Sequence, residues 1–294
     1  MTNSNETCEI CGTSLRKIYG NMSRKEGTIF LECPKCGLRW APYLDVDRTF
    51  HSRLDEKSRK KALSSIRNHE FEQVNRLVKN YVKKGARGIE VGCAYGWYMD
   101  SIGEDYQIEG IEPEDSIAEQ ARSRGHVVHT GFFPQDVPTG TEKYDFMVFN
   151  NVWEHINHIS NLIEGSIQLL KDGGVMIITI PLSSGGVYRI SELFEKIGRT
   201  KELVRLWQLH FHSPHIYYFN KHNFKQIMER FNCCLVSCED VHGSIDPKRM
   251  KERFEMDSDE KHGSLKAALF RIAFPILKCL PADKAVFVFR YKEK

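Results

Sequence analysis

Residues 88–96 read Gly-Ile-Glu-Val-Gly-Cys-Ala-Tyr-Gly, and this stretch decides the fold. Its first residues predict a buried strand, and the small residues that follow predict a tight turn opening a helix. Gly92, Ala94 and Gly96 let the backbone pass close to a ligand, which the first amides of that helix would face. Glu112 follows Gly92 by twenty residues, at the end of a second apolar run. A carboxylate at that point can accept hydrogen bonds from both hydroxyls of a ribose.

This geometry suits two kinds of adenosine-containing cofactor, a dinucleotide and S-adenosylmethionine. A dinucleotide fingerprint has Gly at its first, third and sixth positions, whereas here the third is Ala94 and the sixth is Trp97, which would crowd a pyrophosphate. An ordinary strand-turn-helix is the other alternative. The stretch Glu-Val-Gly-Cys-Ala-Tyr-Gly, with Ile-Glu-Pro at 111–113, resembles motif I and the second acidic motif of class I S-adenosylmethionine-dependent methyltransferases. The resemblance implies a cofactor site formed by Glu90, Gly92, Cys93, Ala94, Gly96, Glu112, Pro113, Phe132, Asn150 and Asn151.

Strand and helix patterns alternate from residue 88 onwards, which predicts a parallel sheet. The resemblance implies an α/β fold, a Rossmann-like seven-stranded methyltransferase sheet with one antiparallel strand and a small N-terminal zinc ribbon. Gly173 is expected to cap a helix that ends at Lys171. The predicted strands are 88–92, 107–111, 126–129, 144–150, 174–180, 233–239 and 284–291, and the predicted helices are 69–84, 96–102, 114–124, 159–171, 187–209 and 224–231. The expected parts are a zinc ribbon at 1–45, linker and cap helices at 46–84, and a methyltransferase domain at 85–294 with substrate-side insertions at about 183–219 and 242–282.

Four of the nine cysteines form two Cys-x-x-Cys pairs, Cys8 with Cys11 and Cys33 with Cys36, each followed by glycine. The twenty-one residues between the pairs suit a zinc ribbon. Four thiolates give a closed tetrahedral site, so Zn²⁺ would be structural and would hold together a segment too small to fold on its own core. Two disulfides or unrelated cysteines are the alternatives. The motif Cys-Pro-Lys-Cys-Gly at 33–37 is also similar to the start of many bacterial enzymes of this class.

The fourth predicted strand ends in Asn150 and Asn151, and Val-Trp-Glu-His follows at 152–155. Side chains at the carboxyl ends of parallel strands face the ligand cleft. His155 is therefore a candidate general base, since its unperturbed pKa lies near neutrality; a histidine that only hydrogen-bonds the backbone is the alternative. Methylases of exocyclic amines carry Asn-Pro-Pro-Tyr here, so the missing prolines argue against a base amine as substrate. Phe132 could stack on adenine or pack within its loop.

Histidines and aromatic residues cluster at 210–219. The part His-Ile-Tyr-Tyr-Phe, beginning at His215, resembles a His-Leu-Tyr-Tyr-Phe stretch that borders the acceptor pocket in a broad group of these enzymes. We therefore expect a catalytic, substrate-facing role for His215, with a secondary one for His212. A metal site made by His210, His212 and His215 is the alternative.

Composition limits the partners and the location. The 294 residues carry a formal net charge of +3, without the basic excess of a protein that wraps nucleic acid. The sequence shows no apolar run of about eighteen residues and no signal-peptide pattern, so we expect a cytosolic protein with reduced thiols. Residues 262–280 space apolar side chains at helical intervals. They predict a helix packed on the sheet or, alternatively, one that docks to a membrane surface or a subunit partner.

The sequence thus predicts transfer of a methyl group from S-adenosylmethionine to an oxygen or nitrogen of a small-molecule or glycan acceptor, with most of the acceleration coming from positioning. One alternative is an RNA methyltransferase that uses the ribbon to grip RNA. Another is a methyltransferase fold that binds partners without catalysis, against which Glu112 argues.

Overall fold

The computed structural model describes residues 6–19, 28–42, 44, 56–209, 211, 213–241 and 279–293, with side chains from residue 67 onwards in the first helix. The strands are β1 Arg16–Ile18, β2 Phe30–Glu32, β3 Arg39–Trp40, β4 Arg87–Val91, β5 Gln107–Glu112, β6 Val128–Thr130, β7 Tyr144–Asn150, β8 Leu170–Pro181, β9 Tyr217–Tyr218, β10 Cys233–Asp240 and β11 Lys284–Tyr291. The helices are α1 Glu56–Tyr81, α2 Trp97–Ile102, α3 Asp115–Arg122, α4 Ile159–Leu169, α5 Gly186–Lys196, α6 Lys201–Leu206 and α7 Lys221–Arg230, and a short 3-10 turn covers Trp153–His155.

Seven strands form the central sheet, in the order β10-β11-β8-β7-β4-β5-β6. β11 runs antiparallel to both of its neighbours, and the pairs from β8 to β6 are parallel. Apolar runs explain why β7 and β11 lie inside the sheet and not at its edges, because strands covered on both faces need apolar side chains on both faces. In β7, residues 146–149 are fully buried. The predicted α/β fold with a mostly parallel seven-stranded sheet is confirmed.

The predicted helix bounds differ from the observed ones, and three of these differences change the description of the fold. The helix predicted at 159–171 ends at Leu169, because Leu170 takes an extended conformation and pairs with Tyr144. Gly173 keeps the expected left-handed conformation, with φ of 72°, but it lies inside β8 and caps no helix. The helix predicted at 187–209 is two helices, α5 and α6, interrupted at Gly198, whose φ is 83°. α1 begins at Glu56, well before the predicted start at residue 69.

A second, antiparallel sheet joins the N-terminal segment to the rest of the chain, in the order β1-β2-β3-β9. Trp40 pairs with Tyr217 and stacks on its ring at 6.0 Å, and the amide of Ala41 donates to the carbonyl of Ile216 at 2.8 Å. Buried side chains of both segments, including Phe30 and Trp207, belong to one apolar core. The expected ribbon and methyltransferase parts therefore share a sheet and a core.

Helix α7 contacts both cysteine turns. Near its start, the side-chain amides of Asn220 and Asn223 donate to the carbonyl of Cys36 at 2.9 Å and 3.2 Å. At its end, Arg230 donates to the carbonyls of Glu9 and Ile10, both at 2.9 Å. One helix thus holds the two halves of the cysteine cluster against the central sheet.

Among the described residues, every helix is too short or too polar to cross a bilayer. The apolar segment from residue 262 and most of the insertion expected at 242–282 lie outside the described residues.

Candidate active site

The turn after β4 has the backbone shape that its small residues predict. Gly92, Ala94 and Gly96 have φ values of 66°, 46° and 74°, a left-handed region that favours glycine. A Cβ on Gly92 would lie 2.8 Å from Cγ2 of Val152, and a Cβ on Gly96 would lie 2.8 Å from Cδ2 of His126. Close packing on both sides therefore keeps the turn narrow and brings α2 to the end of the strand.

Glu112 ends the neighbouring strand and reaches back to this turn. Its Oε2 accepts a hydrogen bond from the amide of Ala94 at 3.0 Å, and its Oε1 accepts one from the amide of Glu114 at 3.2 Å. An ionised carboxylate has about four acceptor positions. The two backbone bonds fix the orientation of this carboxylate beside the turn.

Glu90 is a buried carboxyl beside the same turn, with 3% of its surface exposed. The side-chain amide of Asn150 donates to its Oε1 at 3.0 Å, while its Oε2 has no hydrogen-bond partner among the described residues. The pKa of Glu90 is raised to about 8, chiefly by burial and to a smaller extent by the charge of Glu112, against the opposing effects of the Asn150 hydrogen bond and the charge of Arg67. A buried oxygen without a partner is costly, and the ammonium group of an amino-acid ligand would supply that partner. The donor set therefore fits S-adenosylmethionine.

Asn151 lies in a polar cluster that the sequence did not reveal. Its φ is 57°, and its side-chain amide lies 3.5 Å from Oε2 of Glu70. Glu70 pairs with Lys284 at 2.8 Å. Burial alone would raise the pKa of Glu70, but Lys284 holds that pKa below its ordinary value. Glu70 and Lys284 belong to α1 and β11, and the only sequence signal was a carboxylate beside apolar Phe71 in an amphipathic helix.

The other expected cofactor residues surround the same end of the sheet. Phe132 is half-buried and its amide donates to Oδ2 of Asp136 at 2.7 Å, whereas Phe133 packs edge-on against Phe149 at 5.8 Å. Pro113 is exposed. Cys93 is 3% exposed, and burial raises the pKa of its thiol well above the ordinary value. Cys93 therefore serves the turn through its backbone and by packing.

His155 lies directly after the carboxyl end of β7. Its Nδ1 is 2.8 Å from the carbonyl oxygen of Pro214, which can only accept, so Nδ1 carries the proton. Its Nε2 lies 4.0 Å from Oε1 of Glu154. The Glu154 side chain is 1% exposed, and burial raises its pKa to about 8. The amide of Ile216 donates to the carbonyl of Glu154 at 2.6 Å, so this short turn is fixed to the 214–219 segment.

His215 is buried next to His155, with ring centroids 4.8 Å apart. The hydroxyl of Tyr218 donates to the carbonyl of Leu206 at 2.8 Å, so it accepts from Nδ1 of His215 at 2.9 Å. Nε2 of His215 lies 2.7 Å from the side-chain nitrogen of Gln208, which donates to it. Burial lowers the pKa of His215 well below its ordinary value. Both of its ring nitrogens are engaged; His210 and His212 lie outside the described residues.

The four N-terminal cysteines are brought together as their spacing predicts. Sγ of Cys8 lies 3.5 Å from Sγ of Cys36, Sγ of Cys11 lies 3.4 Å from Sγ of Cys33, and all four lie within 4.8 Å of one another. A tetrahedral Zn²⁺ with bonds of about 2.3 Å sets sulfur atoms about 3.8 Å apart. The donor set fits structural Zn²⁺.

Comparison with known proteins identifies the family. A family model described as a methyltransferase domain matches residues 62–237, more than half of the chain. The chain belongs to the methyltransferase domain family. It is 30% identical over 106 residues to an uncharacterised protein of Methanocaldococcus jannaschii. That match covers 35% of this chain and 48% of the other, so the chain spans about half the length of this curated relative.

Solved structures share the fold of this methyltransferase at low sequence identity. The partner of the Trm112 methyltransferase activator in a Haloferax volcanii complex has a TM-score of 0.54 and 13% identity, covering 82% of this chain and 100% of that one. An S-adenosylmethionine-dependent methyltransferase from Thermotoga maritima has a TM-score of 0.50 and 16% identity, covering 81% and 96%. The plantazolicin methyltransferase BamL has a TM-score of 0.50 and 11% identity, covering 81% and 89%. At these identities the likeness shows a shared fold, and S-adenosylmethionine is the cofactor expected for that fold.

Proposed function

We propose that this methyltransferase transfers a methyl group from S-adenosylmethionine to an oxygen or nitrogen of a small-molecule or glycan acceptor. The observation that carries the proposal is the pairing of two carboxylates across one turn. Glu112 is oriented by the amide of Ala94, and Glu90 keeps a buried oxygen without a partner among the described residues. Glu112 suits a ribose, and Glu90, whose raised pKa keeps it protonated at neutral pH in the cofactor-free protein, would ionise beside the ammonium of the methionine end.

The polar groups at the end of β7 support an acceptor with a hydroxyl or amine. Asn150 and Asn151 are followed, after two apolar residues, by Glu154 and His155 in a short turn fixed to the 214–219 segment. His155 acts on the acceptor through Nε2, since Nδ1 donates to the carbonyl of Pro214. His215 holds the 214–219 segment in place through hydrogen bonds with Tyr218 and Gln208. Both of its ring nitrogens are used in these bonds.

Zn²⁺ in the four-cysteine cluster would stabilise the 214–219 segment through the neighbouring strands of the second sheet. The cluster is joined through β3 to β9, which begins two residues after His215 in the chain. Zn²⁺ would hold the ribbon strands in place and, through them, the main chain of the acceptor side. A closed ligand set gives the metal no direct part in methyl transfer.

Methyl transfer from isotope-labelled S-adenosylmethionine tests the proposal. Purified protein is incubated separately with a small-metabolite fraction, an oligosaccharide fraction and total RNA, with Glu112→Ala protein as the matched control. We expect label in one of the first two fractions, and much less with the variant. Label found only in RNA would overturn the acceptor class. Absence of S-adenosylhomocysteine binding in calorimetry would indicate a non-catalytic binding protein.

His155→Ala tests the acceptor side once a labelled product is known. Turnover should fall about 10²–10⁴-fold, the usual weight of a group that handles a proton, while cofactor affinity stays unchanged. His222→Ala removes an exposed imidazole from α7 and serves as the control. Turnover by His155→Ala equal to that of the control would mean that the enzyme works by positioning alone.

A further inference from the structure

Glu154, His155 and His215 form a second cluster of metal-ligating side chains, separate from the four cysteines. One ligand atom from each lies within 4.8 Å of the other two. From this geometry we propose that the three side chains bind a first-row divalent cation such as Zn²⁺. The inference concerns the acceptor side of the proposed function, but it is tested by metal binding alone, so either can fail without the other.

Both imidazoles are held in the way that metal-ligating histidines usually are. Such a histidine donates one ring N–H to a carbonyl or other acceptor, which fixes the tautomer and directs the other nitrogen to the metal. Nδ1 of His155 donates to the carbonyl of Pro214, and Nδ1 of His215 donates to the hydroxyl of Tyr218. In both rings, Nε2 is then the nitrogen with the lone pair.

Glu154 supplies the carboxylate and the independent observation that a ligand belongs here. Its side chain is 1% exposed, and its Oε2 has no hydrogen-bond partner among the described residues. A buried carboxylate oxygen is normally hydrogen-bonded or bound to a metal. The nearby cation Lys284 does not fill this role, because its Nζ pairs with Glu70 at 2.8 Å.

The distances need only a small adjustment. Bonds of about 2.0–2.2 Å to nitrogen and oxygen put tetrahedral ligands about 3.3 Å apart. Nε2 of His155 lies 4.0 Å from Oε1 of Glu154, and the three ligand atoms lie within 4.8 Å of one another, so side-chain movements of up to about 1.5 Å would close the site. The side-chain nitrogen of Gln208 now lies 2.7 Å from Nε2 of His215, so this amide would turn away when the imidazole binds the cation.

The ligand types select the class of metal and its use. Two imidazoles and one carboxylate suit Zn²⁺, Fe²⁺ or Co²⁺ better than Mg²⁺, which prefers an all-oxygen shell. Three protein ligands leave a position for an acceptor oxygen, as in catalytic zinc sites. A cation there would lower the pKa of a bound hydroxyl, and with the metal bound Nε2 of His155 would hold the cation instead of meeting the acceptor itself.

Cobalt substitution separates the two clusters in the intact protein. Chelator-treated protein is titrated with Co²⁺, and the absorption spectrum distinguishes thiolate coordination from nitrogen and oxygen coordination. We expect wild-type protein to bind one cobalt without sulfur ligands in addition to any bound by cysteines. Glu154→Gln and His155→Asn should lose that equivalent, while His222→Ala should keep it. Circular dichroism checks that the variants are folded.

The wild-type spectrum alone is decisive if a variant fails to fold. Cobalt bound to wild-type protein only through thiolates would overturn the proposal, as would equal metal stoichiometry in wild type and both folded site variants. Neither result depends on an acceptor or on methyl transfer.

Discussion

At the scale of single residues, Glu112 carries the most specific prediction. Glu112→Ala should lower the affinity for S-adenosylmethionine about ten- to a hundred-fold, since a charge-assisted hydrogen bond is worth about 1.5–3 kcal/mol. Glu112→Gln keeps an acceptor oxygen and should lose less. Glu114→Ala changes an exposed carboxylate two residues away and is the control. Calorimetry that gives equal affinity for wild type and Glu112→Ala would show that this carboxylate does not hold the ribose.

The pKa of Glu90 predicts how stability depends on pH. The native pKa of about 8 lies above the ordinary value of 4.5. Between those values the native state keeps a proton that the unfolded chain has released, so the contribution of Glu90 to the free energy of unfolding falls as pH rises through this window. Below pH 4.5 the contribution is level. Glu154 shifts in the same direction and adds to the effect.

Glu90→Gln should therefore flatten the pH dependence of stability of the cofactor-free protein. The slope should become shallower by up to about 1.4 kcal/mol per pH unit, the limit for one proton. Urea unfolding at several pH values between 5 and 8 measures this slope. Glu104→Gln, which changes an exposed carboxyl, is the control. Parallel curves for wild type and Glu90→Gln would mean that Glu90 is ionised in the native protein.

The sequence predicted which residues would meet at the cofactor turn better than it predicted their surroundings. Glu90, Ala94 and Glu112 lie together because parallel strands bring their carboxyl ends to one edge. The pair Glu70–Lys284 was missed, since its members are 214 residues apart and neither belongs to a local motif. Roles at this site stay predictions, whereas the juxtaposition is observed.

At the scale of elements, strand positions could be predicted and helix ends could not. The sequence predicts strand β7 through a run of apolar residues that must be covered on both faces. The end of α4 depends instead on tertiary pairing, because Leu170 is drawn into register with Tyr144. The likeness of residues 1–45 to a zinc ribbon gave no indication that β3 would pair with β9, since no local pattern encodes a partner so distant in the chain.

The shared sheet changes what loss of zinc should do. A ribbon that folds alone would leave the methyltransferase part unaffected by Cys33→Ser. Because β3 pairs with β9, this substitution should also speed hydrogen exchange at residues 215–219, about ten-fold for each 1.4 kcal/mol of lost local stability. Cys234→Ser changes an exposed thiol on β10 and is the control. Unchanged exchange at 215–219 in Cys33→Ser would show that the ribbon does not support the acceptor side.

At the scale of the whole molecule, the cofactor turn and the ribbon lie at different parts of the structure. The turn follows β4 and is completed by β5, whereas the ribbon strands join β9 in the second sheet. The two sheets meet where Leu182, just after β8, forms an isolated β-bridge with Phe219, just after β9. Destabilising the ribbon should therefore affect the acceptor side more than the cofactor turn.

S-adenosylhomocysteine at a hundred times its Kd should stabilise wild type and Cys33→Ser equally, by about 2.7 kcal/mol, because binding to the native state alone sets the increment. The gain is measured as the difference between the free energies of unfolding with and without the ligand. The Glu112→Ala protein should gain less stability at the same ligand concentration. A smaller increment in Cys33→Ser than in wild type would mean that the ribbon shapes the cofactor site as well.

The pairing of β3 with β9 also sets an order of events during synthesis. Trp40 leaves the ribosome long before its strand partner Tyr217. At 5–20 residues per second, the interval is roughly ten to thirty-five seconds. Throughout it the nascent ribbon shows an unsatisfied strand edge, the kind of surface that captures other chains. Fragments that stop short of β9 should therefore depend on chaperones for their solubility, while the finished chain covers the edge with its own later strand.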